Sequence, residues 1–299
     1  MRLIRKTQPS LVAVLGCRGA DRYFGRSQMS YNAAMTVPFE PHRFRSTVPY
    51  YARYRVPYPD RLIAFVAERC GLQRAHHVLD LGCGPGQLAI AFACLGATVT
   101  AIDPEPSMLA AARESATEAG VSLETIEGSS YDLHPTLGHF RLVTLGRSFH
   151  WMDRDATLAV LDRLIERGGA IALFGDKRIE TRGADWRALV ERLCEEFVPA
   201  LAAERRERKQ TEEPHEAVLL RSAFSSLERH GVIVTRRLGA DDIVGRAYSS
   251  STTSPDNLGE RRAAFEQALR EGLARLSPTA EFSEIVEVNA LIARRSADL

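Results

Sequence analysis

His77-Val78-Leu79-Asp80-Leu81-Gly82-Cys83-Gly84-Pro85-Gly86 is the stretch whose reading decides the fold of this 299-residue chain. A short apolar run carries an acid near its end, and glycines follow on alternate positions. An apolar helical pattern then runs from about Leu88 to Leu95. The pattern reads as a buried parallel strand, a tight loop and a helix whose N-terminus faces the loop. Each glycine lacks a Cβ, which permits backbone conformations and close ligand approach that other residues resist. A small-molecule site is therefore expected in the crevice beyond the carboxyl end of this strand, where open α/β sheets place their ligands.

Outward from this stretch, strand and helix patterns alternate. A second strand at 98–102 ends at Asp103, and an alanine-rich helix is expected over 106–119. Strands at 123–126, 142–145 and 170–174 follow, with a helix over 155–165 after the fourth strand and Gly168-Gly169 introducing the fifth. Helix-bearing connections favour a parallel sheet with right-handed crossovers. The third crossover, residues 128–139, holds little that insists on a helix. Beyond Gly175, helices are expected over 186–197 and 217–230, and Glu204 to Lys209 reads as a solvated helix face or exposed turn. Strand-like runs at 232–238 and 285–292 are both candidates for antiparallel pairing near the sheet edge. The segment 241–282 between them holds a serine–threonine loop and a helix with Phe265, Leu269, Leu273 and Leu276 at helical spacing. That is more chain than a connection needs, so it reads as a substrate-side lid.

Composition narrows the function classes. Hydrophobic residues make up 45% and charged residues 26%, ordinary for a globular protein and far from disorder. A formal net charge of +1 provides no global field to recruit nucleic acid or anionic lipid. The 5 cysteines (17, 70, 83, 94 and 194) show no metal-ligand or redox-motif spacing, and their odd count gives no disulfide framework. A reducing, cytoplasmic setting without a bound metal is expected. No apolar run approaches the roughly 20 residues that span a bilayer. The expected partner is a small-molecule acceptor, with no nucleic acid and no membrane, for a monomer or homodimer.

Residues 1–37 read as a flexible basic extension, with translation starting naturally at Met29 or Met35 as a second possibility; residues 38–299 form the domain. Within 43–59, four tyrosines and four arginines crowd between prolines, which deny the segment a long helix. Such amphipathic side chains can lie across an apolar surface while reaching a polar ligand.

The glycine loop alone does not separate cofactors. A dinucleotide fingerprint would place a small residue at position 87, which is Gln, too long for the close helix–sheet approach made there. Asp103 stands where a carboxylate can accept from both hydroxyls of a ribose, and it can also cap the next helix. A nucleoside with no evident pyrophosphate requirement points to an adenosine-bearing cofactor of another kind.

Together these residues resemble the class I S-adenosylmethionine-dependent methyltransferases, in their small-molecule branch. The resemblance rests on 78–86, on Val99-Thr100-Ala101-Ile102-Asp103, on Ser107-Met108-Leu109, on Ser148-Phe149-His150-Trp151 and on Gly168-Gly169-Ala170. It covers about 44–175 and implies a Rossmann-like α/β fold: a seven-stranded sheet with helices on both faces and a helical cap. It implies S-adenosyl-L-methionine as cofactor, with the backbone at Gly82, Gly84 and Gly86 flanking the methionine part and Asp80 close to its amino group. Asp103 would hold the ribose hydroxyls and Pro104 would border the adenine. Where many relatives place an acid against the adenine amino group, this chain has Ser129 and Ser130 behind Gly128; a serine hydroxyl still accepts a hydrogen bond. In relatives with a Tyr-x-x-Tyr-Arg-x-x-Tyr-Pro segment, that segment covers the cofactor. Tyr51 and Arg55 match it here, with Arg55 pairing to the methionine carboxylate; surface hydrogen bonding is the other role open to both.

The implied reaction is methyl transfer to an oxygen or nitrogen of a small metabolite, of the kind that tailors secondary metabolites. Transfer to carbon, a catalytically inactive cofactor-binding assembly protein and a nicotinamide oxidoreductase are the alternatives. His150 is the candidate base, since an ordinary imidazole pKa near 6.5 leaves it mostly neutral at pH 7. It also reads as pocket wall or as a packed structural residue. Arg147 reads as a contact to an acidic substrate group or as a solvated arginine. Tyr248, Ser250, Ser251 and Thr253 are suited to hydrogen-bonding a polar metabolite.

Overall fold

The computed structural model describes residues 43–180 and 185–296. The expected basic extension, and Cys17 with it, lies outside the described residues. Prolines divide the tyrosine–arginine segment: α1 spans Val48–Tyr54, Arg55 leaves it in extended conformation, and α2 (Asp60–Arg69) starts behind Pro59. Next come β1 (His77–Leu81), α3 (Gln87–Cys94), β2 (Thr98–Asp103), α4 (Pro106–Glu118), β3 (Glu124–Glu127), β4 (Phe140–Gly146), α5 (Arg154–Leu164) and β5 (Ile165–Ile179). The third crossover carries only two short 3-10 turns, as its composition implies. Helices α6 (Asp185–Phe197), α7 (Pro199–Thr211) and α8 (His215–Leu220) lead to β6 (Ser226–Leu238). Then α9 (Ala240–Tyr248), α10 (Pro255–Leu258) and α11 (Arg262–Leu276) precede β7 (Phe282–Arg294).

The strands lie in the order β3-β2-β1-β4-β5-β7-β6. The first five run parallel, and β7 is antiparallel to both of its neighbours, leaving β6 at the edge. Strand order reverses between β1 and β4, so their outgoing loops diverge and leave a crevice at the carboxyl edge. Successive residues face opposite layers. Val78 and Leu142 pack with Leu62, Val66 and Phe92 of α2 and α3, while Leu79 and Val143 pack with Leu158, Leu161 and Val218 of α5 and α8. A third apolar cluster belongs to the cap: Phe265, Leu269 and Leu273 of α11 meet Trp186 and Leu193 of α6 and Ile243 and Tyr248 of α9. Leu276, expected on the same stripe, is exposed at its end. Among the described residues, no helix is long and apolar enough to cross a membrane.

Two expectations are corrected. Residues 217–230 are not one helix, because α8 stops at Leu220 and the chain is already strand from Ser226, paired with Arg294. Long-range pairing with β7 overrides local helix preference there, and Gly231, a poor interior helix residue, lies directly against Glu287. Nor does Gly168-Gly169 precede the fifth strand. The strand runs through it with a register shift between Phe140 and Leu142, and Gly168 takes φ 72°. This is a bulge, the device by which a strand absorbs extra residues.

Asp80 is the strut of the central crossover. Its Oδ1 accepts from the Thr144 hydroxyl on β4 at 2.8 Å, and its Oδ2 accepts from the Ala89 N–H in the first turn of α3 at 3.1 Å. Gly86 has no side chain to cap that helix, so a carboxylate from the neighbouring strand satisfies an otherwise orphaned donor. Burial pushes the Asp80 carboxyl up to about 7, against the two hydrogen bonds that favour its ionised form.

Two outcomes follow from this packing. Phe265→Ala removes a fully buried ring from the cap cluster and is expected to lower stability by about 3–5 kcal/mol in urea unfolding; a loss below about 1 kcal/mol would contradict a packed cap core. Because the folded carboxyl of Asp80 binds its proton more tightly than the unfolded one, its contribution favours the fold at low pH. That contribution is lost as pH rises from about 4 through about 7. Asp80→Asn should therefore flatten the pH dependence of stability between pH 4 and 7, measured by urea unfolding at fixed ionic strength; an unchanged slope would refute the shift.

Candidate functional site

The glycine loop is fastened to the end of β2. Gly82 and Cys83 N–H groups donate to the Ile102 carbonyl at 2.8 and 3.0 Å, and the Gly84 N–H donates to Asp103 Oδ2 at 2.8 Å. Gly82 and Gly84 take φ of 70° and 54°, the left-handed region that side chains resist. At Gly82 a Cβ would also fall 2.6 Å from the Ser148 Cβ, whereas at Gly84 the nearest atom is the Met108 sulfur at 4.0 Å. Gly82 is thus required by packing against the β4 loop, and Gly84 leaves backbone open to a ligand.

A cavity of about 260 Å³ opens here, at the point where strand order reverses. It brings together Tyr51, Arg55, Gly82, Gly84, Asp103, Pro104, Ser129, Ser130 and His150 from the sequence reading. It does not include Asp80 or Gly86. The Asp80 carboxylate accepts from the Ala89 N–H and the Thr144 hydroxyl and does not line the cavity. Gly86 sits where a Cβ would meet the Ala112 Cβ at 3.0 Å, so it serves the close approach of α3 to α4.

Asp103 is held from two sides, with Gly84 on Oδ2 and the Glu105 N–H on Oδ1 at 3.0 Å. A carboxylate has about four acceptor positions, so the remaining ones can receive paired hydroxyls. Burial raises its carboxyl to about 6, opposed by the Glu105 and Gly84 hydrogen bonds. Ser129 donates its hydroxyl proton to Asp132 at 2.8 Å and accepts from the Tyr131 N–H at 3.2 Å, which leaves one acceptor position open. Arg55 lies over the Tyr51 ring and donates Nη2 to the Ser249 carbonyl at 2.8 Å, tying the proline-bounded segment to the cap. Its Nε is buried with no partner among the described residues, a donor without an acceptor there at a cavity wall.

His150 lies between Trp151, tilted by 44° at a ring separation of 4.7 Å, and His215, near parallel at 6.5 Å. Burial, then the charges of Arg208, His215, Arg154 and Arg55, pull its pKa down to about 3. The expected near-neutral titration is thereby corrected: this imidazole stays neutral across the physiological range. Arg147 is not solvated. It takes φ 57°, a strained backbone for a residue with a side chain. There its Nε donates to Asp176, its Nη2 donates to the Val56 carbonyl at 2.8 Å, and the guanidinium lies on Tyr58.

The cap contributes Ser250, Ser251 and Thr252 to the cavity. Tyr248 and Thr253 are corrected to structural roles, the first donating to Glu266 at 2.9 Å from within the cap core, the second donating to the Ala247 carbonyl at 2.6 Å. Three basic wall residues escaped the sequence reading: Arg43, Arg205 and Arg208. The expected solvated helix face holds for Glu204, Arg206, Glu207 and Lys209, which are exposed, and is corrected at Arg205 and Arg208. Arg205 and Arg208 are three apart on α7 and so share one face, and that face is the cavity wall. The i, i+3 spacing was the available signal, masked by the acids between them.

The "Methyltransferase domain" family model matches residues 78–169, the segment that builds the loop, the Asp103 carboxylate and the His150 turn. An uncharacterized methyltransferase of Mycobacterium tuberculosis is 29% identical over 71% of this chain and 79% of its own length. Trans-aconitate 2-methyltransferase of Delftia acidovorans is 36% identical over 38% of this chain and 42% of its own. Among solved structures, a proposed type II methyltransferase from Anaeromyxobacter dehalogenans shares the fold, with a TM-score of 0.51 at 18% identity over 81% of this chain and 98% of that one. The glycine loop, the strand order and the family match agree: residues 78–169 match a methyltransferase domain, and the chain has the fold of the class I S-adenosylmethionine-dependent methyltransferases and resembles them.

Proposed function

We propose that this enzyme methylates an oxygen or nitrogen of a small metabolite inside the cavity between the glycine loop and the cap. The observation that carries the reading is one cavity lined both by Gly84 and Asp103 and by His150, Trp151 and the cap serines. The residues present fit the cofactor. Asp103 keeps acceptor positions for ribose hydroxyls, Gly84 offers backbone without a side chain, and the partnerless Nε of Arg55 offers a donor to a carboxylate. Pro104, Ser129 and Ser130 then border the adenine, with the Ser129 hydroxyl as acceptor for its amino group, and Tyr51 supports Arg55 from below. S-adenosylmethionine supplies an electrophilic methyl group on a sulfonium.

The protein's work is mainly orientation and exclusion of water, and a well-aligned pair of reactants can gain about 7–11 kcal/mol that way. Ser250, Ser251 and Thr252 cover the cavity from the cap, so the segment 241–282 acts as its lid and sets which acceptor fits. His150 acts as a neutral wall that can accept a hydrogen bond. With a pKa near 3 it has little drive to remove a proton from an acceptor at pH 7. The Delftia relative, named for methylation of trans-aconitate, supports a small-molecule acceptor. The test is release of S-adenosylhomocysteine on incubation with a panel of small hydroxy, phenolic and amino compounds. Cofactor binding with no release across such a panel would favour the non-catalytic alternative.

Two substitutions examine the assignments. Asp103→Asn is expected to weaken S-adenosylmethionine binding at least tenfold in calorimetry. Because ribose hydroxyls bind the ionised carboxylate, wild-type affinity should also fall as pH drops below about 6, by up to about tenfold per unit, and the variant should lack this dependence. His150→Gln, which keeps an acceptor, is expected to retain kcat within about threefold; a loss of about 10²–10⁴ would restore the general-base role.

A further inference from the structure

The cavity walls are electrically lopsided. Five arginines (Arg43, Arg55, Arg147, Arg205 and Arg208) face two carboxylates, Asp103 and Glu105. Both acids are engaged at one end. Asp103 accepts from backbone N–H groups, and Glu105 accepts from Ser107 at the start of α4. At the cap side, Arg147 is balanced by Asp176, and Arg55 is anchored on Ser249. Arg208 makes no hydrogen bond or close ion pair with a described residue: its guanidinium lies 4.4 Å from the Trp151 ring centroid, and the carboxylates of Glu212 and Glu204 act on it only through space. Arg43 approaches the same ring at 5.0 Å and reaches Glu204 at 3.7 Å.

We propose that Arg205 and Arg208 of α7, with Arg43 and the Trp151 ring between them, form an oxyanion subsite, and that the methyl acceptor is held there by a carboxylate or phosphate group. The inference rests on the methyltransferase reading and specifies its acceptor. A guanidinium presents a planar fork of donors that matches either oxyanion, and its stacking on an indole fixes the plane of that fork. Cations gathered in a partly buried wall repel one another unless an anion joins them. Burial and then Arg43 hold Arg208 below its ordinary range, against the opposing pull of Glu212 and Glu204. A buried arginine donor without a partner among the described residues in the same cavity, Nη1 of Arg147, points the same way. The aligned oxyanion leaves the nucleophilic atom of the acceptor free to face the opposite end of the cavity, where Asp103 and Gly84 lie.

The experiment is isothermal titration of the full chain, preloaded with S-adenosylhomocysteine, with citrate, inorganic phosphate and the neutral triethyl citrate. An oxyanion should bind, the neutral ester should not, and Arg208→Gln and Arg205→Gln should each weaken oxyanion binding at least tenfold. The S-adenosylhomocysteine affinity of both variants should stay within twofold of wild type. Citrate binding without phosphate binding assigns the subsite to a carboxylate; the reverse assigns it to a phosphate. Arg206→Gln, on the exposed side of α7 and paired with Glu195, is the matched control and should change neither affinity. The subsite is overturned if neither oxyanion binds the loaded protein, if triethyl citrate binds as well as citrate, or if both variants bind oxyanion like wild type. Failure of S-adenosylhomocysteine itself to bind would instead strike the methyltransferase reading, so the two failures are told apart in one titration series.

Discussion

The carboxylate of Asp103 holds the site together before any ligand arrives. It accepts from the Gly84 N–H on one oxygen and from the Glu105 N–H on the other, so the glycine loop after β1 and the turn after β2 are fixed by one group. The loop has no side chains of its own with which to hold a shape, and its left-handed glycines are entropically costly to order. A buried acceptor that satisfies their donors offsets that cost. The acid that would grip a sugar therefore also shapes the backbone beside it, and removing it acts on both. Its raised pKa is the physical trace of this double duty: burial disfavours the charge, and the backbone donors only partly restore it.

Charge is sorted along the cavity rather than spread over it. Acids sit at the β2 end, where strand ends and helix N-termini supply N–H donors to hold them; arginines sit under the cap, where they stack on Trp151, Tyr51 and Tyr58. Aromatic faces accept a cation without supplying a negative charge. The positive end is thus stabilised structurally while its field remains directed into the cavity. His150 lies within that field and is kept neutral by it together with burial.

Much of this was legible in the sequence because local pattern and tertiary role coincide. The run from Val78 to Gly86 is apolar, then acidic, then glycine-rich because a buried strand, a helix-capping carboxylate and a left-handed loop follow one another along the chain. What was not legible depends on partners distant in sequence. The structural share of Asp80 shows only once Thr144 and Ala89 are folded against it. Arg205 and Arg208 look solvated until α7 is folded onto the cavity. Residues after Leu220 look helical until β7, more than fifty positions later, imposes its ladder. Tyr248 illustrates the converse: an amphipathic side chain suited to a ligand is equally suited to a cap core, and only Phe265 and Glu266 beside it decide.

The placement of the cap over the cavity has its own physical basis. Glu284, at the start of β7, is fully buried and takes ion pairs from Arg187 on α6, Arg236 on β6 and Arg246 on α9. A buried ion cluster contributes little net stability, since desolvation cancels most of the attraction. It does penalise any arrangement that separates its members, because each would be left charged and unpaired. Apolar packing of α11 against α6 and α9 tolerates sliding; three guanidinium groups drawn to one carboxylate do not. The aromatic contact of Tyr54 against Gly245, where even a Cβ would fall 2.3 Å from the ring, fixes the other side of the same helix. Between these two constraints α9 is held in register, and with it the loop that carries Ser250 and Ser251 to the cavity.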